Sequence, residues 1–394
     1  LGVPIGRLAD RVHRPALVAA GVVLWSAATM ACGFATSFAR LFLMRVFVGV
    51  GEASISPAAY SLIAQVVPRE RLGRALSVYM LGTVVGLGVA WIAGGQVLHW
   101  LGGAGAPVLP FLGGLGPWQM VFLIVGLPGL VVGPLLLLIH EPRRDGARSE
   151  VRLVGARVEA SARSADGPSA PRGTWGGLWE QLRRGRRVYA AHFAGVAAVN
   201  TYGYALVTWA PAMFRRSFGW SMQQTGTVLG AGILLAGGAG MLGSGHLADA
   251  LARRGFPDAT FRILFSGTLL MAPIGILGPR IGGGAARAAL FVTPAMGLFF
   301  AVVACAPTAL QLVTPADLRA SVSSVYLFVV NLVAFALGPL SVGWLSDRVG
   351  VDEGGLALAL MILAAVCLPI GALAFGFGMA PFRRALPAPS VTTS

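Results

Sequence analysis

The sequence GRLADRVHR at residues 6–14 decides the fold, because a second version of it, GHLADALAR, stands at residues 245–253. The two stretches align without a gap and share Gly, Leu, Ala, Asp and the final Arg. A second pair of similar stretches, PRERLGRALSVY at 68–79 and PADLRASVSSVY at 315–326, has nearly the same separation along the chain. Two short matches at nearly equal spacing predict a duplicated structural unit.

Long apolar blocks surround both copies. The chain has 394 residues, of which 56% are hydrophobic and 11% are charged, and its mean hydropathy is +0.76. Water-soluble domains do not sustain such values. Each block is long enough for an α-helix to cross a hydrocarbon core roughly 30 Å thick. The blocks predict ten complete spans, at about 15–35, 41–67, 75–100, 118–139, 188–214, 225–248, 261–280, 288–313, 320–345 and 355–379.

The predicted spans favour one fold class. Backbone polar groups inside a bilayer must be satisfied within the protein, which leaves helical bundles and closed barrels as spanning structures. The blocks are too long and alternate too weakly for barrel strands. The sequence therefore predicts an all-α polytopic membrane protein of two pseudo-symmetric bundles, and it excludes a soluble enzyme.

The basic residues indicate orientation. The net charge is +15, and all 30 basic residues are arginines that lie mostly between the apolar blocks. They form no continuous basic face, so we expect no nucleic-acid partner. Cytoplasmic loops retain excess positive charge. The arginine-rich side, which we assign to the cytoplasm, comprises the loops 7–14, 68–74, 140–187, 249–260 and 314–319 and the C-terminus.

One loop divides the chain. Residues 140–187 are rich in Arg, Ala, Ser, Gly and Pro and have the composition of a flexible linker. The end of this loop has the pattern of an interfacial helix that leads into the next span, with Trp175, Trp179 and Tyr189 and the arginines from Arg183 to Arg187. The predicted domains are an incomplete N-terminal bundle at 1–139, a cytoplasmic linker at 140–187, a C-terminal bundle at 188–379 and a cytoplasmic tail at 380–394.

The repeat also gives an expectation about the N-terminus. The chain starts at Leu1 rather than Met. The spacing of the repeats predicts that about 50 residues precede it, which are the first helix and most of the second. The intact protein would then have six plus six helices.

Several of these stretches resemble a known family. GVPIGRLADRVHRP at 2–15 resembles the signature loop of the Major Facilitator Superfamily between its second and third helices, and the weaker copy at 241–254 lies where that superfamily repeats it. The block RVFVGVGEASISPAAYSLIAQVVPRERLGRALSVY at 45–79 is similar to the spinster-like branch, whose fourth helix carries Arg and then GxGEA. The similarity continues through WQMVFLIVGLPGLVV at 118–132, EPRR at 141–144 and TYGYALVTWAPAMFRRSFG at 201–219.

The resemblance carries functional expectations. The superfamily implies alternating access, with substrate bound near the midplane between two six-helix halves. The branch implies a proton-linked carrier of lysophospholipids or sphingoid-type lipids. It also implies that an acid on the first helix pairs with the Arg of the fourth helix.

Two charged residues in one predicted span are the candidate coupling site. Glu52 is the only acid in the interior of a span, and Arg45 stands two turns earlier on the same helical face. A charge at that depth is costly and usually faces a bundle interior or an aqueous cavity. We interpret Glu52 as a proton-exchanging group and Arg45 as its partner or as the site of an anionic head group. The alternative is a static ion pair or a polar cluster that packs helices together, without coupling.

The repeated loop motif is the candidate gate. An Asp at the end of one helix can face the N-terminal dipole of a neighbouring helix, while arginines pair across the half-interface. The alternative is ordinary anchoring by positive charge. Ala250 stands in the second copy where the first has Arg11, so we expect the second latch to be weaker. The gating candidates are Gly6, Asp10, Arg11, Arg14, Gly245, Asp249 and Arg253.

Aromatic and amide residues inside the spans are candidates for the substrate cavity. Each could instead form an interhelical hydrogen bond. They are Tyr79, Asn200, Tyr202, Tyr204, Thr208, Trp209, Tyr326 and Asn331. Histidines near the span ends, His192 among them, favour an interfacial location over a proton relay.

The sequence leaves three classes of function to consider. The favoured one is a proton-coupled carrier of a lipid-like or amphiphilic substrate. A carrier of small organic anions or drugs with the same fold is the alternative, with Arg45 as the anion site. A membrane enzyme or receptor is disfavoured because no Ser/His/Asp set, HExxH motif or phosphate loop is present. We expect a monomer in the bacterial inner (plasma) membrane that interacts with the lipid bilayer, substrate and protons, without cofactor or metal.

Overall fold

The computed structural model describes residues 14–52, 69–102, 115–138, 175–280, 284–315, 318–350 and 354–386. Every regular element within these ranges is a helix. The helices are α1 (Arg14–Cys32), α2 (Phe38–Glu52), α3 (Arg69–Gly102), α4 (Pro117–Leu135), α5 (Trp175–Arg184), α6 (Arg186–Phe218), α7 (Met222–Gly232), α8 (Gly238–Arg253), α9 (Ala259–Leu277), α10 (Ala285–Leu312), α11 (Arg319–Val349) and α12 (Gly355–Ala385).

Each of the ten predicted spans contains a helix, so the all-α prediction is confirmed. Seven of the helical segments are long and apolar enough to cross a membrane, and Ala16–Cys32 is a shorter apolar helix. Several helices run past the predicted ends: α12, for example, continues through Arg383 and Arg384. Hydropathy marks where the apolar core ends, whereas the helical backbone continues into the polar headgroup layer. The predicted part of 41–67 that follows Glu52 lies outside the described residues.

The contacts divide the chain into two compact units. The first comprises residues 1–80 and 97–169. In its described part α1 packs against α2 and α4. Glycines allow these close approaches: a Cβ at Gly51 would lie 2.8 Å from the Cβ of Trp25. Small residues at such crossings let helix backbones come together in lipid.

The second unit comprises residues 81–96 and 170–394. In it α6 packs against α11 and α12, and α9 packs against α10 and α12. The largest fully buried side chains include Tyr202, Phe214, Phe261, Phe299, Phe375 and Phe382. The predicted division into bundles and linker stays a prediction, and helix α5 lies within the predicted linker.

Inside this second unit, residues 81–96 of α3 pack on α7. The backbones meet at Gly88 and Gly230, where a Cβ on Gly230 would lie 2.7 Å from the carbonyl oxygen of Gly88. The Gln223 amide donates to Gln96 Oε1 at 2.8 Å, and the Gln96 amide donates to Thr227 Oγ1 at 3.2 Å. A π-helical turn, Ile233–Gly237, then joins α7 to α8 in one continuous segment.

Candidate functional site

The charged candidates of the first unit both lie on α2. Arg45 and Glu52 are exposed. The guanidinium carbon of Arg45 lies 5.1 Å from the centroid of the Phe122 ring on α4, a cation–π distance. Both residues are described, and no ion pair within 4.0 Å joins them in this structure. The ring therefore positions the Arg45 head group.

Aromatic and polar candidates of the second unit meet where α6 packs on α11. The Tyr204 ring stacks on Phe335, with centroids 3.9 Å apart and planes 27° apart, and its edge meets Phe299 at 5.6 Å. One turn further along α6, the Trp209 indole N–H donates to the carbonyl oxygen of Pro339 at 2.9 Å. The helices can approach this closely because Gly338 faces the backbone of Thr201.

These contacts define one surface of the second unit, which we call the α6–α11 strip. Thr208 stands one turn after Tyr204, and Asn331 stands one turn before Phe335, and both are exposed. Phe335 itself is 55% exposed. The strip consists of Tyr204, Thr208, Trp209, Asn331 and Phe335. It combines flat apolar surface with a hydroxyl and an amide that can donate and accept hydrogen bonds.

The remaining cavity candidates of the second unit are buried. Asn200, Tyr202 and Tyr326 are 4%, 1% and 5% exposed. The Asn200 Oδ1 atom and the Tyr202 hydroxyl have no hydrogen-bond partner within the described residues. The structure therefore buries these three side chains between packed helices of the second unit, away from the α6–α11 strip. Tyr79, in the first unit, is half-buried.

His192 is buried among the helices of the second unit. It is 1% exposed, and its Nε2 atom lies 2.8 Å from the carbonyl oxygen of Ala306 on α10. The rings of Tyr326, Phe193 and Phe261 have centroids 5.3, 5.9 and 6.1 Å from the imidazole centroid. The imidazole is thus enclosed by neighbouring helices inside the second unit, and its interfacial location stays a prediction.

The gating candidates are only partly described. Gly6, Asp10 and Arg11 lie outside the described residues, and Arg14 is the first residue of α1. In the second copy, Gly245, Asp249 and Arg253 are exposed and lie within α8, because that helix continues to Arg253. The latch stays a prediction.

An acid–arginine cluster that sequence reasoning missed lies between α8 and the start of α9. Asp258 is 1% exposed, and its Oδ1 atom accepts from Arg262 Nε at 2.8 Å. Its Oδ2 atom lies 3.4 Å from Arg383 Nε at the end of α12. Arg262 also lies 4.4 Å from the centroid of the Phe256 ring. The spacing of one helical turn between Asp258 and Arg262 could have indicated their ion pair from the sequence. No sequence pattern connects Asp258 with the distant Arg383.

Metal binding finds no support in the part of the chain that the structure describes. No group of three or more His, Cys, Asp or Glu side chains there could hold a metal ion. The three cysteines, Cys32, Cys305 and Cys367, are buried as free thiols.

Known proteins resemble this chain over most of its length. The family model of the Major Facilitator Superfamily matches residues 1–339. An MFS-type efflux pump of Mycolicibacterium smegmatis is 30% identical over 386 residues, which cover 98% of this chain and 81% of that protein. Protein spinster homolog 1 of Bos taurus is 31% identical over 217 residues, which cover 54% of this chain and 35% of that protein. A probable L-galactonate transporter of Escherichia coli is 22% identical over 378 residues, covering 95% of this chain and 77% of that protein.

Solved structures share the fold. The crystal structure of a bacterial homologue of the human lysosomal transporter Spinster, in an inward-facing and unoccupied conformation, has a TM-score of 0.75 at 24% identity. The match covers 99% of this chain and 88% of that chain. A D-xylose–proton symporter gives a TM-score of 0.67 at 16% identity, covering 98% of this chain and 84% of that one. At these identities the likeness establishes the fold.

The family model, the apolar helices and the shared fold agree. They confirm the predicted fold class and the predicted resemblance to the spinster-like branch. The protein is a multi-pass integral protein of the bacterial plasma membrane. Its family consists of transporters that lie in the lipid bilayer and have small-molecule substrates. The chain therefore belongs to the Major Facilitator Superfamily, and within that superfamily it resembles the spinster-like transporters.

Proposed function

We propose that the protein is a proton-coupled secondary transporter that works by alternating access and moves a lipid-like or amphiphilic substrate. The observation that carries the proposal is that Arg45 and Glu52 are both exposed and form no ion pair with each other, on a helix whose residues between them are all apolar. Because charges in a membrane span are costly, they mark functional sites by default. The transporter acts as a monomer and carries out no enzymatic step.

Glu52 and Arg45 have different parts in this proposal. A carboxylate can be neutralised by a proton, so Glu52 can change charge during a transport cycle. A guanidinium stays charged at every physiological pH, so Arg45 supplies a constant positive charge for an anionic head group or for ionised Glu52. When Glu52 is protonated, Arg45 keeps its charge and can bind the substrate head group.

The α6–α11 strip supports the substrate class. The stacked rings of Tyr204 and Phe335 offer an apolar surface that suits an acyl or sphingoid chain. Thr208 and Asn331 add two exposed polar side chains next to those rings. An amphiphile satisfies both kinds of surface, whereas a sugar would need a denser array of polar groups.

The test uses the full-length protein reconstituted in liposomes that contain a pH dye. Lysophospholipid or a sphingoid base is added outside, and the internal pH is recorded for the wild type and for Glu52→Gln. We expect lipid-dependent proton flux in the wild type and none in Glu52→Gln. Glu180→Gln is the matched control, because Glu180 is an exposed acid on α5 that pairs with Arg184 at 2.8 Å. Lipid-driven flux that persists in Glu52→Gln would reject Glu52 as the proton site.

Export of drugs or small organic anions is the second candidate. It is favoured by the 30% identity to the Mycolicibacterium smegmatis efflux pump over 98% of this chain. In this reading Arg45 binds the anion, and the α6–α11 strip binds the apolar part of the molecule. The same liposomes distinguish the candidates: proton flux with benzoate or an amphipathic dye, and none with lysophospholipid or sphingoid base, would favour the second.

A further inference from the structure

Helix α5 is fixed against the second unit by one of its faces. Leu178 is 6% exposed and belongs to the hydrophobic core of that unit. The Gln181 amide donates to the Tyr189 hydroxyl at 3.0 Å, and that hydroxyl lies 3.2 Å from Thr314 Oγ1 after α10. Helix α5 is thereby held at the start of α6 and the end of α10.

The opposite face of α5 is aromatic and basic. Trp179 is 64% exposed, and Arg183 stands one helical turn after it, also exposed. Arg186 and Arg187 are exposed at the start of α6. The one acid of this helix, Glu180, forms an ion pair with Arg184. Arg183 on α5 and Arg186 and Arg187 in the first turn of α6 are therefore three exposed arginines that do not pair with Glu180.

The length of α6 indicates where the exposed face of α5 lies relative to the bilayer. Residues 188–214 contain no Asp, Glu, Lys or Arg. At 1.5 Å per residue, the helical distance from Arg187 to Arg215 is roughly 42 Å. This matches a bilayer of roughly 40–45 Å that includes both headgroup layers. Arg187 and Arg215 are thus spaced to reach opposite headgroup layers, and α5 ends at Arg184, just before Arg187 in the chain.

We infer that the exposed face of α5 and the first turn of α6 bind acidic phospholipids of the cytoplasmic leaflet. Trp179 inserts among the headgroups, where its apolar ring and polar N–H both find partners. Arg183, Arg186 and Arg187 contact the lipid phosphates, for which a guanidinium offers two parallel donors. The charge of the surface selects acidic over zwitterionic lipid. This inference does not depend on the substrate that is transported.

The first experiment locates α5 relative to the bilayer. Trp179→Cys gives an exposed thiol, whereas Cys32, Cys305 and Cys367 are buried, so a fluorophore can be attached there selectively. The full-length protein is placed in nanodiscs of phosphatidylcholine with a rising fraction of phosphatidylglycerol. We expect headgroup-linked nitroxides to quench the fluorophore more than nitroxides deep in the acyl chain, and quenching to rise with phosphatidylglycerol. Absence of quenching by either nitroxide would overturn the inference.

The second experiment tests charge selection. We expect the combined change Arg183→Gln, Arg186→Gln and Arg187→Gln to raise the phosphatidylglycerol fraction needed for half-maximal quenching by about an order of magnitude. Lysine at the same three positions should restore most of the response. The matched control, Arg215→Gln with Arg216→Gln at the other end of α6, should leave it unchanged. Equal responses of the glutamine triple and the wild type would overturn the inference, and so would an equal loss in the control. Size-exclusion profiles of all variants exclude misfolding as the cause.

Discussion

Two of the acid–arginine groups among the described residues differ in burial and in pairing. Asp258 is almost completely buried and lies within 3.4 Å of two arginine side chains. Glu52 and Arg45 are exposed, and the Arg45 head group lies over an aromatic ring. A buried carboxylate with two cations has its charge compensated in one fixed arrangement. An exposed carboxylate without that compensation can exchange partners, so the comparison separates a structural group from a candidate functional one.

The largest expected effect is the loss of transport without a loss of stability. Glu52→Gln should reduce lipid-driven proton flux to the level of protein-free liposomes, because glutamine cannot bind and release a proton. Its midpoint of thermal unfolding should match that of the wild type, since exposed substitutions usually change stability by no more than about 0.5 kcal/mol. Flux and unfolding are measured on the same preparation. A large fall in the midpoint would make Glu52 a structural residue like Asp258.

The converse is expected of Asp258→Asn. Removing the buried charge leaves Arg262 and Arg383 without their partner, and we expect a loss of about 1–3 kcal/mol. The lower end allows for solvent screening, because the two arginine side chains are 41% and 51% exposed. Thermal unfolding in detergent measures the effect, and flux per folded molecule should be retained. An unchanged midpoint together with lost flux would move this cluster into the transport machinery.

A smaller effect is expected at the α6–α11 strip. Phe335→Ala removes one of the two stacked rings that we propose contact the substrate, and losing part of that apolar contact should cost about 0.5–1.5 kcal/mol of binding free energy. We therefore expect the KM for an amphiphilic substrate to rise roughly 2–12-fold while the maximal flux changes little.

The control for this variant lies on the same helix. Leu337 is 52% exposed, and two residues along an α-helix turn the side chain by roughly 200°. Leu337→Ala should leave KM unchanged. Equal changes in both variants would show that α11 responds to the loss of any apolar side chain, and the strip would lose its assignment.

The smallest effect is expected from Arg383→Gln. Its Nε atom lies 3.4 Å from Asp258, and its side chain is half-exposed, while Arg262 retains the shorter contact of 2.8 Å. We expect a loss of at most about 1 kcal/mol, which thermal unfolding can compare with that of Asp258→Asn. A loss equal to that of Asp258→Asn would show that Arg383 is the main partner of the buried carboxylate.

The fold could be predicted from the sequence because a lipid bilayer excludes most backbone structures other than helices and closed barrels. Long apolar blocks in a bilayer must be helical, and the repeated motif indicated a duplicated bundle. Glu52 and Arg45 stood out because charges are rare in such blocks. The limits of the helices were harder to predict, since α12 continues through Arg383 and Arg384 after the hydropathy falls.

The side-chain contacts at the candidate sites could not be predicted from the sequence in the same way. Arg383 is far from Asp258 in sequence, and no local pattern connects them. Phe335 stands in an apolar run where aromatic residues are common, so only the observed stack with Tyr204 singles it out. Tyr202 and Asn200 have the residue types of a binding site, yet the packing of α6 turns them into the interior. Residue type indicates which chemistry is available, and helix packing decides which side chains can reach a substrate.

The π-helical turn Ile233–Gly237 sets the rotation between two contact surfaces of one segment. Before it, α7 presents Gly230 to the backbone of residues 81–96, and after it α8 presents Gly240 to Gly297 of α10. A π-turn accommodates one residue more than an α-helical phase allows, and one residue corresponds to roughly 100° of rotation. Deleting a single residue from this turn would restore regular α-helical geometry. It would also rotate Gly240 about the helix axis, away from α10. The alignment of the two ends of this segment is therefore encoded by a residue count rather than by any particular side chain.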